Sequence, residues 1–446
     1  MQKYKALNIR YILLILGILA IILIAGGNQL PKYASRLPYI GALAVIDMLY
    51  WLSIRKTISI RFKTILGIAY WLPMFTLLMF FITGMFSDFS QWTAFPRIYF
   101  PAILLILLIG KGIFLTLLLL RDLIFSPILV LKKRLPSYAE NPGKYARSPI
   151  FLKSISIVSA LVVLLFLSGM LFWVSDFKLT TVYLPVQNLP KEFDGYKIIQ
   201  LSDMHLGTFP NDASLKKISK IVNGQKPDLI LFTGDIVNLT TNEALPFENV
   251  MKEFSSNDGN FSILGNHDYG DYNHWDSELE KQKNDQELFD FHKRINWRLL
   301  RNENVIIKKG IASIAVVGVE NWSLNKRFGK KGDLRKATKG TDSTQFQILM
   351  SHDPSHWEGE VTSEFPQIGL TLSGHTHAFQ LAIESGPVKW SPASMLYAEW
   401  AGLYEKADKN GKKQFLYVNR GCGTIGYPGR VFTRPEITLI ILQKSQ

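Results

Sequence analysis

Cysteine is almost absent from this chain of 446 residues, and acidic residues are almost absent from its first 175 positions. The single cysteine, Cys422, excludes an intramolecular disulfide and a structural metal site built from several thiolates. Charged residues make up only 19% of the chain while hydrophobic residues make up 48%, a balance that excludes an intrinsically disordered protein.

The scarcity of acidic residues divides the chain into two parts. Residues 1–175 contain 18 Lys and Arg but 4 Asp and Glu, whereas residues 176–446 contain 32 of each kind and all eight histidines. The formal net charge of +14 therefore belongs to the first part, and the histidine-bearing part is neutral. A neutral domain is a poor partner for nucleic acid, so we expect no nucleic-acid binding. We predict one domain over 1–175 and a second over 176–446.

Five apolar stretches in the first part approach the roughly 20 residues that a helix needs to cross a bilayer core. They cover residues 11–27, 38–54, 64–86, 98–120 and 154–174. Two charged residues, Asp47 and Lys111, lie inside these stretches. They either pair with each other or with backbone groups, or they line a polar path through the helices or contact lipid headgroups. The sequence therefore predicts five transmembrane helices.

The connections between these stretches differ in their content of Lys and Arg. The N-terminal segment, the loop 55–63 and the loop 121–149 carry three, four and six, whereas the alternate connections carry two and one. Basic loops stay in the cytoplasm, so we expect this first set to be cytoplasmic. With five spans, residues 176–446 are predicted on the extracytoplasmic side of a plasma membrane that the protein crosses several times.

From residue 197 onward, short β-rich stretches each end in polar residues. The predicted strands are Lys197–Ser202, Asp228–Thr233, Phe261–Leu264, Gln345–Ser351 and Ile368–Leu372, with a helix over Asp212–Asn223. Continuous apolar strands that alternate with helices are typical of a layered α/β fold. Open α/β sheets bind their ligands beyond the carboxyl ends of the strands.

The polar residues that follow these strands form a candidate metal site. They are Asp203, His205, Asp235, Asn266, His352, His375 and His377. Oxygen and imidazole ligands without a thiolate suit manganese, iron or zinc. Seven ligands are too many for one tetrahedral ion, but they fit two ions that share a bridging carboxylate, an arrangement suited to phosphoryl displacement. Gly234, Gly265 and Gly374 would allow the backbone to turn sharply and approach the ions.

The order Asp-x-His, Gly-Asp, Gly-Asn-His-Asp, His and Gly-His-x-His over residues 203–377 resembles the calcineurin-like metallophosphoesterase superfamily, and within it the membrane-attached bacterial branch. Residues 419–424 and 435–438 are similar to the closing signature of that branch. The resemblance implies a four-layer α/β-β/α sandwich that holds two divalent metal ions. One ion would take Asp203, His205, Asp235 and His377, and the other would take Asp235, Asn266, His352 and His375.

The same resemblance implies two catalytic residues. His267 would stabilise or protonate the leaving oxygen, and Asp268 would orient His267. Ala378 and Phe379 depart from the two glycines that many relatives of this branch carry after the last motif, which would narrow the substrate opening. Four aromatic residues follow the last motif: Trp390, Tyr397, Trp400 and Tyr404. They could line an acyl-binding groove or a membrane-facing rim, or they could pack in the core of the domain.

Together these features predict a membrane-anchored dinuclear-metal phosphoesterase that hydrolyses phosphate mono- or diesters. Its expected partners are membrane lipids and the phosphate ester substrate, with a lipid or a cell-envelope precursor as a candidate. One alternative is a nucleotide-linked glycolipid pyrophosphatase, although such a substrate is normally cytoplasmic. Another is a catalytically inactive membrane scaffold or sensor, against which the complete set of ligand residues argues.

Overall fold

The computed structural model describes residues 37–55, 58–86, 94–132, 148–344, 346–386, 388–407 and 411–445. The chain divides into two compact units, Met1–Leu165 and Phe166–Gln446. The domain boundary predicted from the sequence lies at residue 175, whereas the two structural units divide after Leu165. The C-terminal end of the last apolar helix therefore belongs to the second unit.

The apolar stretches of the first part fold as helices wherever the structure describes them. The helices are α1 (Leu37–Ile54), α2 (Lys63–Phe86), α3 (Ala94–Lys132) and α4 (Pro149–Ser168), and α4 continues into a π-helical turn at Gly169–Trp173. By length and composition, three segments of the described residues can cross a membrane: Ile60–Gly84, Pro96–Phe125 and Pro149–Trp173.

The prediction of five spans is therefore not confirmed. In α1 the apolar part, Tyr39–Leu52, is shorter than a bilayer core requires, so the predicted span at 38–54 is replaced by a short apolar helix. The predicted span at 11–27 lies outside the described residues. Within the part of the chain that the structure describes, three candidate spans are present rather than five.

The two charged residues of these helices pair with each other. The Lys111 Nζ lies 2.5 Å from the Asp47 Oδ2, and both side chains are largely buried. Lys111 also donates a hydrogen bond to the Tyr70 carbonyl at 3.1 Å. Pairing, rather than a polar path, is thus the arrangement that the structure shows, and it reduces the free energy needed to bury each charge among apolar helices.

The second unit contains two six-stranded sheets and one separate hairpin. The strands are β1 (Lys178–Val186), β2 (Lys197–Leu201), β3 (Leu229–Phe232), β4 (Asn260–Ser262), β5 (Trp297–Leu299), β6 (Glu303–Lys309), β7 (Ala312–Gly318), β8 (Phe346–Met350), β9 (Ile368–Ser373), β10 (Ile383–Ser385), β11 (Val388–Trp390), β12 (Gly402–Ala407), β13 (Lys413–Val418) and β14 (Glu436–Lys444). The first sheet has the order β1-β14-β2-β3-β4-β5, the second has the order β12-β13-β9-β8-β7-β6, and β10 pairs with β11.

The two sheets pack face to face, with helices on their outer sides. Ile198 of β2 and Ile348 of β8 belong to the core between the sheets. The next residue of β2, Ile199, packs in a different core beneath the helices α5 (Ala213–Gly224) and α6 (Glu278–Arg294). Since successive side chains of a strand point to opposite faces, strands buried on both sides require the continuous apolar sequences observed here.

The outer face of the second sheet carries short helical segments at Leu334–Ala337 and Thr362–Glu364 and a π-helical turn at Trp357–Val361. A further short helix, Glu248–Met251, packs with the helices of the first sheet. The mixed α/β class is thereby confirmed, and the order of layers agrees with the sandwich that the family resemblance implies.

The strand directions bring the predicted site residues to one edge. β2, β3 and β4 are mutually parallel, and so are β7, β8 and β9. Parallel neighbours end at the same edge of a sheet, so the loops after them meet there. β14 lies between β1 and β2 and runs antiparallel to β2, and the segment that links β13 to β14 connects the two sheets.

Candidate metal centre

The candidate ligands lie on tight loops that begin where the strands end. Five of them adopt left-handed backbone conformations: Asp203 (φ 50°), His205 (φ 45°), Asp235 (φ 60°), His375 (φ 67°) and His377 (φ 49°). This conformation costs a residue with a side chain about 1–2 kcal/mol. Asp203 and His205 therefore reach the same site through a left-handed turn of the backbone.

One group of ligand atoms combines Asp203, His205 and His377, all of which are buried. The His377 Nε2 lies 3.1 Å from the Asp203 Oδ1 and 3.0 Å from the His205 Nε2. The three ligand atoms are within 4.8 Å of one another, so they can surround a single cation. The loop that follows β2 in the first sheet and the loop that follows β9 in the second sheet meet at this group.

A second group combines Asp235, His352 and His375. The His352 Nε2 lies 3.1 Å from the Asp235 Oδ2 and 3.3 Å from the His375 Nδ1. The same Asp235 oxygen lies 3.7 Å from the His205 Nε2 of the first group. Asp235 therefore stands between the two groups, where a bridging carboxylate would be required.

The orientation of the polar atoms fits divalent cations. The His205 Nδ1 faces the Val237 carbonyl at 3.2 Å, and the His352 Nδ1 faces the Thr233 carbonyl at 2.7 Å, so each Nε2 points toward the ligand groups. Backbone carbonyls commonly fix metal-binding imidazoles in this way. The Asn266 Oδ1 is buried without a hydrogen-bond partner in the described structure, although the amide nitrogen of Asn266 donates to Tyr272 Oη at 2.9 Å. An oxygen left in this state is available to a cation.

The electrostatics of the site favour ionised carboxylates beside imidazoles. Burial alone raises the pKa of Asp203 and of Asp235, but the nearby histidines outweigh it and hold both carboxyl pKa values below their usual range. Burial lowers the pKa of His205 to about 3. Burial also acts against the charged form of His352, yet the Asp235 carboxylate raises the pKa of that imidazole to about 10. The carboxylates thus attract positive charge, which a metal ion would supply.

The glycines next to the ligands leave room for the carboxylates. A Cβ atom on Gly374 would overlap the Ser202 Oγ and the Asp203 Oδ2, and a Cβ atom on Gly265 would overlap the Asp235 Oδ1. Any side chain at these positions would displace a ligand, so the predicted close approach of the backbone is observed.

His267 lies at the edge of the ligand groups, half-buried, with its ring centroid 5.1 Å from that of His205. Its backbone amide donates to the Asp235 Oδ1 at 2.9 Å, and its Nδ1 faces the Asn238 carbonyl at 2.7 Å. The carbonyl acceptor requires the proton on Nδ1, so the Nε2 is free for other partners.

Asp268 has a different position from the one that the family resemblance implies. Its carboxylate accepts hydrogen bonds from four backbone amides, those of Asp235, Ile236, Val237 and Gly265, rather than from the His267 ring. Burial and the neighbouring Asp235 raise the pKa of Asp268 to about 7. Asp268 therefore holds the Asp235 loop in place, while the Asn238 carbonyl orients His267. A backbone acceptor leaves no motif in a sequence, which is why Asn238 was missed.

Three further side chains contact the candidate site. Sequence reasoning assigned no role to Asp353 or Tyr272, and it placed Tyr397 only on a rim or groove or in the core. Tyr397 Oη lies 2.8 Å from the His375 Nε2, and the Asp353 Oδ2 lies 3.6 Å from the same nitrogen. The ring centroid of Tyr272 lies 4.4 Å from that of His267. Asp353 follows a ligand directly in the sequence, a signal that was available, whereas Tyr397 is more than twenty positions from His375.

The closing segment of the chain supports the ligand loops through its backbone. The Gly423 amide donates to the Asp203 carbonyl at 2.8 Å. The fully buried Arg430 donates through its Nη2 to the carbonyls of Arg420, Gly421 and Gly423. Arg420 in turn pairs with the buried Glu436 at 2.6 Å. The signature at 419–424 and 435–438 is therefore a structural brace for the Asp203 loop.

Two adjoining groups of aspartate and histidine, each able to hold a metal ion, thus lie at the strand ends of the two facing sheets. Residues 196–379 match the calcineurin-like phosphoesterase family. This part of the chain thus carries a calcineurin-like phosphoesterase domain, as its motif order predicts.

Curated relatives share this domain over somewhat more than half of the chain. The bovine "transmembrane protein with metallophosphoesterase domain" is 31% identical and covers 60% of this chain and 57% of its own length. The Bacillus subtilis metallophosphoesterase YkuE is 28% identical over 58% of this chain and 82% of its own. The UDP-2,3-diacylglucosamine pyrophosphatase LpxG of Chlamydia muridarum is 26% identical over 56% of this chain and 86% of its own. The chain spans only 57% and 58% of the bovine and zebrafish relatives.

Proposed function

We propose that this protein is a membrane-anchored phosphoesterase that uses two divalent metal ions to hydrolyse a phosphate mono- or diester. The observation that carries the proposal is the pair of adjoining ligand groups, joined through Asp235, with His267 beside them. Asn266, with its unbonded buried oxygen, completes the second group.

The proposal assigns roles to the residues already described. Asp203, His205, Asp235 and His377 would hold one ion, and Asp235, Asn266, His352 and His375 would hold the other. When bound, such ions stabilise charge on the phosphoryl oxygens and make water available as a nucleophile near neutral pH. His267, with its Nδ1 proton on the Asn238 carbonyl, presents Nε2 to the leaving oxygen and can stabilise or protonate it.

We further propose that the domain faces the extracytoplasmic side of a bacterial inner membrane. This placement depends on the last span alone and does not require five spans. The basic loop predicted at 121–149, whose first residues belong to α3, carries six Lys and Arg and precedes the span Pro149–Trp173. If the basic loop stays in the cytoplasm, the chain after Trp173 emerges on the opposite side.

A second candidate is hydrolysis of a nucleotide-linked glycolipid at its pyrophosphate bond. The similarity to LpxG, which is named as a pyrophosphatase of UDP-2,3-diacylglucosamine, favours this candidate. An extracytoplasmic site disfavours it, because nucleotide-linked precursors are normally cytoplasmic. Comparing a diester and a nucleoside diphosphate sugar as substrates of the same preparation separates the two candidates.

The test is turnover by the purified full-length protein with added manganese, measured on bis(4-nitrophenyl) phosphate. We expect hydrolysis, and we expect His267→Ala to lower kcat by about 10²–10⁴-fold because a positioned proton donor is lost. His274→Ala is the matched control, since His274 is exposed and lies in the same stretch of chain. Metal content should be equal in the three proteins. Absence of turnover, or full turnover in His267→Ala, contradicts the proposal.

A further inference from the structure

The loop 427–432 of the phosphoesterase domain packs beside the last two turns of the final apolar segment. Tyr427 Oη donates a hydrogen bond to the Phe166 carbonyl, and the Arg430 amide donates to the Gly169 carbonyl at 3.3 Å. The rings of Phe432 and Trp173 have centroids 5.4 Å apart. The candidate span ends at Trp173, so this loop packs against the end of the span that leads into the domain.

The same loop is joined to the metal ligands through Gln380. The Gln380 side-chain amide donates to the carbonyls of Tyr427 at 2.6 Å and Gly429 at 3.0 Å, and its oxygen accepts from the Ile425 amide. Gln380 follows His377 by three residues. The metal centre is therefore connected, by a few short contacts, to the end of the membrane span.

An apolar face begins where these two segments meet. The Ala382 amide donates to the Val431 carbonyl, so the hairpin of β10 and β11 starts beside the loop. One side of the hairpin contacts the domain, because Glu384 pairs with Arg420 and Lys389 donates to the Ala401 carbonyl. The other side presents exposed apolar side chains: Ile383, Val388 and Trp390.

This apolar face continues into the turn that follows the hairpin. Met395 is 80% exposed and Leu396 is 69% exposed, and Phe432 adds a third exposed side chain next to the span. The next residue, Tyr397, turns inward and contacts the metal ligand His375 at 2.8 Å. Of the four aromatic residues singled out in the sequence, Trp390 is thus exposed on the face, while Trp400 is buried in a small core beneath it.

We propose that this apolar face, formed by Ile383, Val388, Trp390, Met395, Leu396 and Phe432, docks on the lipid bilayer that the last span enters. The bilayer is the occupant because the face is continuous with the end of the span through Phe432 and Trp173. Contiguous exposed apolar side chains mark interaction surfaces, and tryptophan is enriched at the membrane–water interface. A consequence for the substrate rests on the proposed function. If that function holds, the metal centre lies at the level of the lipid headgroups and hydrolyses phosphate esters carried by membrane lipids.

The test places a fluorescent label on the apolar face through an introduced cysteine. Cys422 is fully buried, so a cysteine introduced on the surface can be labelled in the otherwise unchanged full-length chain. Val388→Cys and Leu396→Cys each receive an environment-sensitive nitrobenzoxadiazole fluorophore. Ile311→Cys is the matched control, because Ile311 is fully exposed between β6 and β7, at the edge of the second sheet opposite to β12. All three proteins are placed in phosphatidylcholine–phosphatidylglycerol nanodiscs with or without doxyl-labelled lipid.

For a face buried about 5–10 Å into the interface, doxyl lipid should lower the fluorescence at 388 and 396 at least about twofold and leave 311 unchanged. Labels at two separate positions, 388 and 396, keep the test decisive even if one of the two variants misfolds. Labels at 388 and 396 that are quenched by aqueous iodide as strongly as at 311 would place the face in water and overturn the proposal. Labels protected from both quenchers would show that a protein covers the face, which also overturns it. Because no turnover is measured, failure here is distinct from failure of the proposed function.

Discussion

At the scale of single residues, the candidate metal centre depends on backbone conformations that its residue types disfavour. Five ligand residues adopt left-handed conformations, and Ala378, Phe379 and Gln380 continue the series with φ of 50°, 46° and 56°. Glycine adopts this conformation without strain, so the two glycines that the family resemblance implies at 378 and 379 would be less strained there than Ala378 and Phe379. Strained residues persist only where the surrounding structure over-determines them, as the Gln380 hydrogen bonds do here.

Gly374→Ala should abolish metal binding at the Asp203 site. The added Cβ would meet the Asp203 carboxylate and the Ser202 hydroxyl at distances that no pair of atoms tolerates, so the Asp203 loop must move. We expect metal content and phosphodiester turnover to fall together, the latter by about 10²-fold or more, because a misplaced ligand disrupts the reacting geometry. Plasma emission spectrometry measures the metal.

Gly224→Ala provides the control for that substitution. Gly224 ends α5, and a Cβ atom there meets open space. This variant should retain both metal and turnover. Unchanged metal content in Gly374→Ala would contradict the assignment of Asp203 as a ligand.

The candidate ligands could be predicted from the sequence, but their geometry could not. Each ligand stands a few positions after an apolar strand, a pattern that reads directly from residues such as Asp203 and His352. The contacts of Asn238 and Asp268 depend instead on how two loops cross, and His267 could not be paired with the Asn238 carbonyl before that crossing was known.

At the scale of elements, strands buried on both faces were the easiest to predict. β2 and β3 lie within one residue of their predicted bounds because continuous apolar runs mark both strands, and α5 matches the predicted helix because its apolar residues recur at helical spacing. The hairpin of β10 and β11 was not predicted, since its three-residue strands are too short to show a period. A span was wrongly expected at 38–54, where apolar composition alone did not reveal how short the apolar part of α1 is.

The packing of α6 against β4 should depend on pH through His292. This buried imidazole faces Ser262 Oγ and the Leu288 carbonyl, and burial lowers its pKa to about 4. The unfolded chain, with a histidine pKa near 6.5, binds the proton at a higher pH than the folded chain does. Stability is therefore retained above pH 6.5 and lost as the pH falls toward 4, by about 3 kcal/mol.

Thermal unfolding between pH 7 and pH 4 measures this dependence. His292→Gln should unfold at a lower temperature at pH 7 but show a shallower decline toward pH 4. His274→Gln, which changes an exposed histidine, should decline as steeply as the parent protein. Equal slopes in all three proteins would rule out His292 as the titrating group.

At the scale of the whole molecule, we predict that a reporter fused after Gln446 is extracytoplasmic. The six basic residues of 121–149 and the span Pro149–Trp173 determine this outcome. Alkaline phosphatase fused at this position should be active, while the same reporter fused after Ser137, within the basic loop, should be inactive. The reverse pattern would place the domain in the cytoplasm and favour the nucleotide-linked substrate.

The position of β14 sets the order in which the protein can be made. This last strand fills the place between β1 and β2, and the Gly423 amide before it binds the Asp203 carbonyl. The first sheet is complete, and the Asp203 loop is fully supported, only after β14 has been synthesised. If the domain lies on the extracytoplasmic side, as proposed above, its chain crosses the membrane before this distant pairing forms. The candidate ligand groups would then assemble, and take up metal ions, on that side of the membrane.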